Sequence, residues 1–170
     1  ARIVNVFTEE IIRGDIAIQD GIIAGIGSFH GKEERDLAGR YVCPGFIDSH
    51  LHLESTLVTP AELVTVASRH GTTTFIVDPH ESANVSGLAG IDYILDQTED
   101  VKANVYVMMP SCVPATAIDD NGCTLTAEDM APYLHNSRIL GLGEVMDSIS
   151  VVQGEKSMHD KLELFELKDL

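Results

Sequence analysis

Residues 45–55, GFIDSHLHLES, place two histidines two positions apart, between an apolar run and an acidic residue. The part GFIDSHLHLE is predicted to be a β-strand that ends in polar groups. Side chains two apart on a strand share a face, with Cα atoms about 6.6 Å apart, so His50 and His52 can converge on one metal ion. The alternative is that both are ordinary polar residues at a strand end. Asp48 favours the metal site, because a carboxylate at this spacing can orient a liganding imidazole or face the site itself.

The chain after this strand repeats the order strand, then helix. Thr59 followed by Pro60, with Glu62 three residues on, predicts a helix N-terminus, and Gly71 predicts the end of that helix. Three further units are predicted: strand 72–78, loop 79–87 and helix 87–98; strand 103–110, loop 111–125 and a helix capped by Thr126 with Asp129 three residues on; and strand 138–144 with helix 159–170. This alternation predicts a parallel sheet.

A parallel sheet of this kind is either a doubly wound sheet or a (β/α) barrel. A doubly wound nucleotide-binding fold usually begins with a Gly-rich turn, whereas the first strand here ends in SHLHLES. In a barrel, the chemistry comes from the C-terminal ends of several strands. Polar residues gather at the C-terminal ends of all four predicted strands: His50 and His52, Asp78 and His80, Ser111 and Cys112, and Glu144. A barrel is therefore favoured. Since a complete one takes about 250 residues, we expect residues 45–170 to form its first half.

The first 44 residues have a different pattern. The segments RIVNVF and GDIAIQDGIIAGIGS are predicted to be short strands, with a hairpin turn at Asp20 and Gly21. We therefore expect an α/β protein in which a small N-terminal β-sandwich segment, residues 1–44, precedes the four βα units.

Composition limits the possible partners. The net charge of −16 and the scattered basic residues argue against nucleic acid and anionic membranes as partners, and favour a small neutral or cationic ligand. The three cysteines form no Cys-x-x-Cys pair, which favours a reducing cytoplasm. No apolar run is long enough to span a membrane. We expect a cytoplasmic homo-oligomer, and the start at Ala1 suggests a fragment of a longer protein.

Glu144 and the loop after the second predicted strand are further candidate site residues. Glu144 follows an apolar, Gly-rich strand, where a carboxylate is unfavourable unless it is paired or bound to a cation. The alternative is a helix-capping or salt-bridged glutamate. The segment of residues 78–81 is either a Pro-driven turn in which Asp78 and Glu81 cap backbone amides, or a loop whose side chains support the metal ligands or face the substrate. Four other histidines are predicted to be solvated: His30, His70, His135 and His159.

The segment VCPGFIDSHLHLES, residues 42–55, resembles the first-strand motif of the amidohydrolase superfamily. Together with DPHESANVSG, residues 78–87, and GLGEVMD, residues 141–147, it is similar to the adenine deaminases of that superfamily. Most binuclear members have a carboxylated lysine after the fourth strand, whereas adenine deaminases have glutamate, as at Glu144. The resemblance covers nearly all of residues 1–150.

The resemblance implies a hydrolase that converts adenine to hypoxanthine and ammonia with a binuclear centre of Mn²⁺, Fe²⁺ or Zn²⁺. His50, His52 and Glu144 are the implied metal ligands, with Glu144 shared between both ions, and Glu144 and His80 are the candidate catalytic residues. Two alternatives stay open. One is an amidohydrolase acting on cyclic amides, such as a dihydroorotase or hydantoinase, and the other is a metal-binding relative without catalytic activity.

Overall fold

The computed structural model describes residues 1–166, which fall into two compact units that meet in sequence between Gly45 and Phe46. The first unit contains five strands: β1 (Arg2–Asn5), β2 (Glu10–Arg13), β3 (Asp15–Gln19), β4 (Ile22–Gly27) and β5 (Tyr41–Val42). They form a three-stranded sheet in the order β2-β1-β5 and an antiparallel β3-β4 hairpin. The predicted hairpin at Asp20 and Gly21 is confirmed, with φ values of 53° and 80° that suit a type I′ turn. The sandwich stays a prediction.

The second unit contains a four-stranded parallel sheet. Its strands are β6 (Phe46–Leu51), β7 (Thr72–Val77), β8 (Asn104–Met109) and β9 (Ile139–Leu142), and they lie side by side in chain order. The predicted parallel α/β arrangement is therefore confirmed. Closure into a barrel, and the share of it present here, stay predictions.

Two of the predicted helix starts are confirmed by their caps. The first helix, α1 (Pro60–Ser68), begins after Thr59, whose side chain accepts a hydrogen bond from the backbone amide of Glu62. A later helix, α4 (Ala127–Met130), begins with a complete capping box between Thr126 and Asp129. The helix predicted over residues 87–98 is α3 (Leu88–Gln97).

The loop predicted over residues 79–87 is wrong, because His80–Ser86 form a helix, α2. Its Ser and Asn residues are weak helix formers, but the carboxylate of Glu54 accepts a hydrogen bond from the amide of Ser82 in the first turn at 3.1 Å. Ala83, fully buried, anchors the helix against the core. A tertiary contact therefore overrides the local preference.

The chain after β9 also differs from the prediction. Ser148–Gln153 form an unpredicted helix, α5, capped by the side chain of Asp147 and ended by Gly154 at φ 72°. The last helix, α6 (Lys156–Glu166), begins three residues before the predicted start at His159. The rest of that predicted helix, residues 167–170, lies outside the described residues.

The core lies between the sheet and its helices. In β8 the alternate residues Val105, Val107 and Met109 are buried, as the two-residue period of a strand requires. They pack in one cluster with Ile91 and Ile94 of α3. Full burial of such side chains stabilises a fold by about 1.5–3 kcal/mol each, so the sheet is a firm support for groups at its edge. None of the helices within residues 1–166 has the length and apolar character needed to span a bilayer.

Candidate metal centre

The candidate site lies where the four parallel strands end. Leu51 pairs with Val77 in the β6-β7 ladder, and Met109 pairs with Leu142 in the β8-β9 ladder, so the carboxyl ends of the strands are aligned. Residues that follow these ends, far apart in sequence, therefore meet at one edge of the sheet. They are His52 after β6, Asp78 after β7, Ser111 after β8 and Glu144 after β9, joined by His50 within β6.

The three predicted metal ligands converge. The Nε2 atoms of His50 and His52 are 3.2 Å apart, and the Oε1 atom of Glu144 lies 3.7 Å and 3.3 Å from them. Ligand atoms held about 2.1 Å from a tetrahedral ion are about 3.4 Å apart. The two imidazole nitrogens and the carboxylate oxygen thus have the spacing and the chemistry of ligands to one divalent ion. The ligand roles themselves stay a prediction.

The tautomer of His52 suits metal binding. Its Nδ1 atom is 2.7 Å from the carbonyl oxygen of Asp78. A carbonyl oxygen can only accept a hydrogen bond, so Nδ1 carries the proton and the lone pair of a neutral ring is on Nε2, facing Glu144. Metal-bound histidines typically donate their other ring nitrogen in this way. The carboxylate of Asp48 accepts a hydrogen bond from the backbone amide of His50 at 3.4 Å, and its role in orienting an imidazole or facing the site stays a prediction.

His80, the first residue of α2, contributes a third imidazole. Its Nδ1 atom is 3.0 Å from Asp78 Oδ1, and its Nε2 atom is 3.8 Å from Glu144 Oε1. Burial lowers the pKa of His80, but the hydrogen bond to Asp78 and the negative charges around the ring outweigh burial and hold that pKa above its usual value. The Nε2 atoms of three histidines therefore surround one carboxylate oxygen of Glu144.

The carboxylate of Asp78 both caps a backbone amide and contacts a histidine of the site, which are the two roles that the sequence left open. Only 1% exposed, it accepts a hydrogen bond from the backbone amide of Glu144 at Oδ2, 3.0 Å away, as well as contacting His80 at Oδ1. A Cβ atom on Gly143 would lie 2.3 Å from Asp78 Oδ2, so only glycine leaves room for this approach. Asp78 thus connects the ends of β7 and β9.

The interaction of Glu81 with Glu54 beside the site was not foreseen from the sequence. Burial and a hydrogen bond with Glu81 raise the pKa of Glu54 to about 7. Burial favours a raised pKa for Glu81 too, but hydrogen bonds from Glu54 and Ser55 outweigh it and lower that pKa. Glu81 Oε2 is 3.6 Å from Nδ1 of His52. The signal for this pair was that each glutamate follows a site histidine by one or two residues.

The end of β8 supports Glu144 from another side. The hydroxyl of Ser111, which is buried, donates to the carbonyl oxygen of Glu144, and the ammonium of Lys161 in α6 donates to the carbonyl oxygen of Ser111 at 2.8 Å. Burial lowers the pKa of Lys161. Cys112 is buried, and its Sγ atom lies 3.1 Å from the hydroxyl oxygen of Ser111. Of the four histidines predicted to be solvated, His159 is half-buried and contacts the carbonyl oxygen of Val151.

Comparison with known proteins gives one consistent result. The model of the amidohydrolase family matches residues 41–167. The chain is 59% identical over 97% of its length to an adenine deaminase of Desulfitobacterium hafniense, and 50% identical over 96% of its length to one of Geobacillus kaustophilus. It is 47% identical over 99% of its length to adenine deaminase 2 of Carboxydothermus hydrogenoformans. The chain spans 28–30% of the length of these relatives. The family match covers most of the sequence, and the chain belongs to the amidohydrolase family.

Proposed function

We propose that the full-length protein is a metal-dependent adenine deaminase, which converts adenine and water to hypoxanthine and ammonia. The observation that carries this proposal is the convergence of His50, His52 and Glu144 within 3.7 Å of one another at the end of the sheet. The names of the relatives supply the substrate, because the residues of this part alone indicate a metal site and not a purine.

In this proposal His50, His52 and Glu144 would hold a divalent ion, and Glu144 would be shared with a second. A bound divalent ion lowers the pKa of water from 15.7 to about 7, which supplies a nucleophile at neutral pH. Imidazole and carboxylate ligands accept Mn²⁺, Fe²⁺ and Zn²⁺ alike, so the donor set leaves the choice among them open.

His80 is the proposed proton-transferring residue. Replacement of the amino group at C6 of adenine requires a proton to reach the departing ammonia. His80 has its Nδ1 atom held by Asp78, which leaves Nε2, 3.8 Å from Glu144 Oε1, to hold and pass a proton at the site. Glu144 has two oxygens, and its Oε1 lies among the imidazoles of all three histidines.

The proposal extends to the architecture and setting of the protein. Residues 45–170 would be the first half of a (β/α) barrel, and residues 1–44 part of a small β-sandwich. The four parallel strands in chain order, with polar groups at their carboxyl ends, support the barrel. A cytoplasmic location and a homo-oligomeric state belong to the same proposal, which includes neither a nucleic acid nor a membrane as partner.

The test is a substrate panel with the full-length protein. The protein is loaded in turn with Mn²⁺, Fe²⁺ or Zn²⁺, and release of ammonia from adenine is measured beside ring opening of dihydroorotate and hydantoin. We expect turnover of adenine alone, and loss of it in the His50→Ala, His52→Ala double variant. Turnover confined to the cyclic amides would favour the first alternative. Stoichiometric metal binding without turnover of any of the three would favour a non-catalytic relative.

A further inference from the structure

We propose that Asp78 is a positioning residue that fixes His80 and Glu144 for metal binding and catalysis, and that it is not itself a metal ligand. As far as catalysis is concerned, this inference rests on the proposed function. Asp78, His80 and Glu144 bring ligand atoms within 4.8 Å of one another, so a second metal group at these residues is the alternative that the geometry must decide.

The hydrogen bonds of the carboxylate favour positioning. Oδ1 faces the Nδ1 atom of His80 at 3.0 Å, and Oδ2 accepts from the backbone amide of Glu144 at 3.0 Å. Each oxygen is therefore already engaged by a protein donor. A ligand role for Asp78 would have to use the lone pairs that these two contacts leave, on a carboxylate that is only 1% exposed.

The backbone of Asp78 completes the connection. Its carbonyl oxygen is 2.7 Å from Nδ1 of His52, and its amide donates to the carbonyl oxygen of Leu51 at 2.9 Å. Asp78 thus contacts two of the three histidines that present Nε2 to Glu144, namely His52 at 3.3 Å from Oε1 and His80 at 3.8 Å. Such contacts determine which ring nitrogen carries the proton and keep the other nitrogen free.

The surroundings of Asp78 are arranged for its carboxylate. The residue is buried, and an unpaired carboxylate would be unfavourable there. Gly143 leaves space for Oδ2, because a Cβ atom would lie 2.3 Å from that oxygen. The contacts with His80 and Glu144 are therefore the reason that a charged group can occupy this place in the fold.

The experiment uses three variants of the full-length protein. Asp78→Asn keeps the size but replaces one carboxylate oxygen with an NH₂ group. The backbone amide of Glu144 can only donate, so the NH₂ group faces Nδ1 of His80. Nδ1 must then accept a hydrogen bond, which favours the proton on Nε2 of His80. Asp78→Ala removes both contacts. Val107→Ala is the control, because Val107 is a fully buried core residue of β8 and its truncation lowers stability without touching the network. Affinity for Mn²⁺ is measured by titration without substrate, beside the melting temperature and steady-state kinetics with adenine.

We expect Asp78→Asn to weaken Mn²⁺ binding about 10–100-fold, the usual effect of losing a group that orients ligands, and to lower kcat with KM almost unchanged. Asp78→Ala should weaken binding at least as much. Val107→Ala should lower the melting temperature and leave Mn²⁺ affinity unchanged. Wild-type Mn²⁺ affinity and kcat in Asp78→Asn, with only a lower melting temperature, would overturn the inference. Loss of one whole Mn²⁺ per chain at saturating metal would identify Asp78 as a ligand and also overturn it.

The metal titration separates this inference from the proposed function. Weaker Mn²⁺ binding in the Asp78 variants of a protein that does not deaminate adenine would uphold the positioning role and reject the substrate. Normal Mn²⁺ binding and normal kcat in the variants of a protein that does deaminate adenine would uphold the substrate and reject the positioning role of Asp78.

Discussion

Which ring nitrogen of an imidazole carries the proton decides which nitrogen can bind a metal ion. His52 has its proton placed on Nδ1 by the carbonyl oxygen of Asp78, whereas His50 is half exposed and its Nε2 faces His52. A backbone contact therefore orients the ring of His52, whereas Nε2 of His50 contacts another imidazole of the site. Both lie on, or directly after, a strand that its neighbour holds in place.

His50→Ala and His52→Ala should each remove a metal ligand and leave the fold intact. In the full-length protein, we expect each variant to lower the turnover of adenine at least 10³-fold and to reduce the metal content per chain, because the remaining two donors bind an ion poorly. Elemental analysis and far-ultraviolet circular dichroism check this. His70→Ala is the control, since His70 is exposed and lies before β7, at the opposite end of that strand from the site. Full metal occupancy in either variant would reject that histidine as a ligand.

Glu144→Gln and Glu144→Ala distinguish a bridging ligand from a structural carboxylate. Two ions about 3.5–4 Å apart repel each other unless a shared carboxylate offsets their charge. Gln keeps the size and loses the charge, so the second ion should be lost first, and Ala should lose more metal. Glu144 is 41% exposed, so neither change should lower the melting temperature of the metal-free protein by much. Unchanged metal stoichiometry with a lower melting temperature would falsify the ligand role.

At the scale of secondary structure elements, the end of β9 depends on two glycines that differ in their surroundings. A Cβ atom on Gly141 would lie 3.4 Å from the flexible end of Met108, whereas one on Gly143 would lie 2.3 Å from Asp78 Oδ2. Neither glycine has a positive φ, so the two positions differ only in the space available for a Cβ atom. The Gly-rich character of GLGE therefore reflects the close approach of Asp78 at one position.

Gly143→Ala should push Asp78 away from the amide of Glu144 and weaken metal binding about 10-fold or more, whereas Gly141→Ala should be tolerated. Both variants add one methyl group to the same segment, which makes Gly141→Ala a matched control. Metal titration and melting temperature of the two full-length variants check the expectation. Equal metal affinity in the two variants would show that Asp78 can move without consequence for the site.

The capping box of α4 gives a prediction with a pH dependence. Hydrogen bonds from the backbone amide and the side chain of Thr126 lower the pKa of Asp129. A lowered pKa stabilises the fold above the usual value of 3.8, and this contribution is lost as the pH falls through the lower folded-state pKa. Thr126→Ala should destabilise by about 1 kcal/mol near pH 7, and the difference from wild type should narrow below pH 4. Urea unfolding followed at several pH values checks this. A difference that is independent of pH would contradict the role of Asp129.

Among the elements, the strands, turns and helix starts that depend on neighbouring residues in the sequence could be predicted from it. Strands with buried alternate residues, the turn at Asp20 and Gly21, and the caps Thr59 and Thr126 all carry their own signals. The helix α2 could not be predicted, because its first turn depends on the carboxylate of Glu54, 28 residues away. The contact of Asp78 with Glu144, 66 residues apart, could not be foreseen for the same reason. The ends of parallel strands could predict which residues meet, but not which atoms bond.

At the scale of the whole molecule, the described sheet has two open edges. The order β6-β7-β8-β9 leaves β6 and β9 each with one neighbour in that sheet. Phe46 and Ile47 on β6 are 60% and 63% exposed, which is unusual for large apolar residues of a parallel strand. Because the relatives are more than three times as long as this chain, we propose that further strands of the full-length protein cover these edges.

Residues 1–170, produced alone, should therefore self-associate and lack deaminase activity, whereas the full-length protein should be active. Unpaired strand edges with exposed apolar side chains favour pairing with other copies of the chain. Light scattering and the adenine assay on both forms check this. Ile47→Lys in the short form is the matched test, because a lysine on an edge strand opposes edge-to-edge pairing and should reduce the self-association. A monodisperse and active monomer of residues 1–170 would contradict the half barrel, since four strands would then supply the complete site.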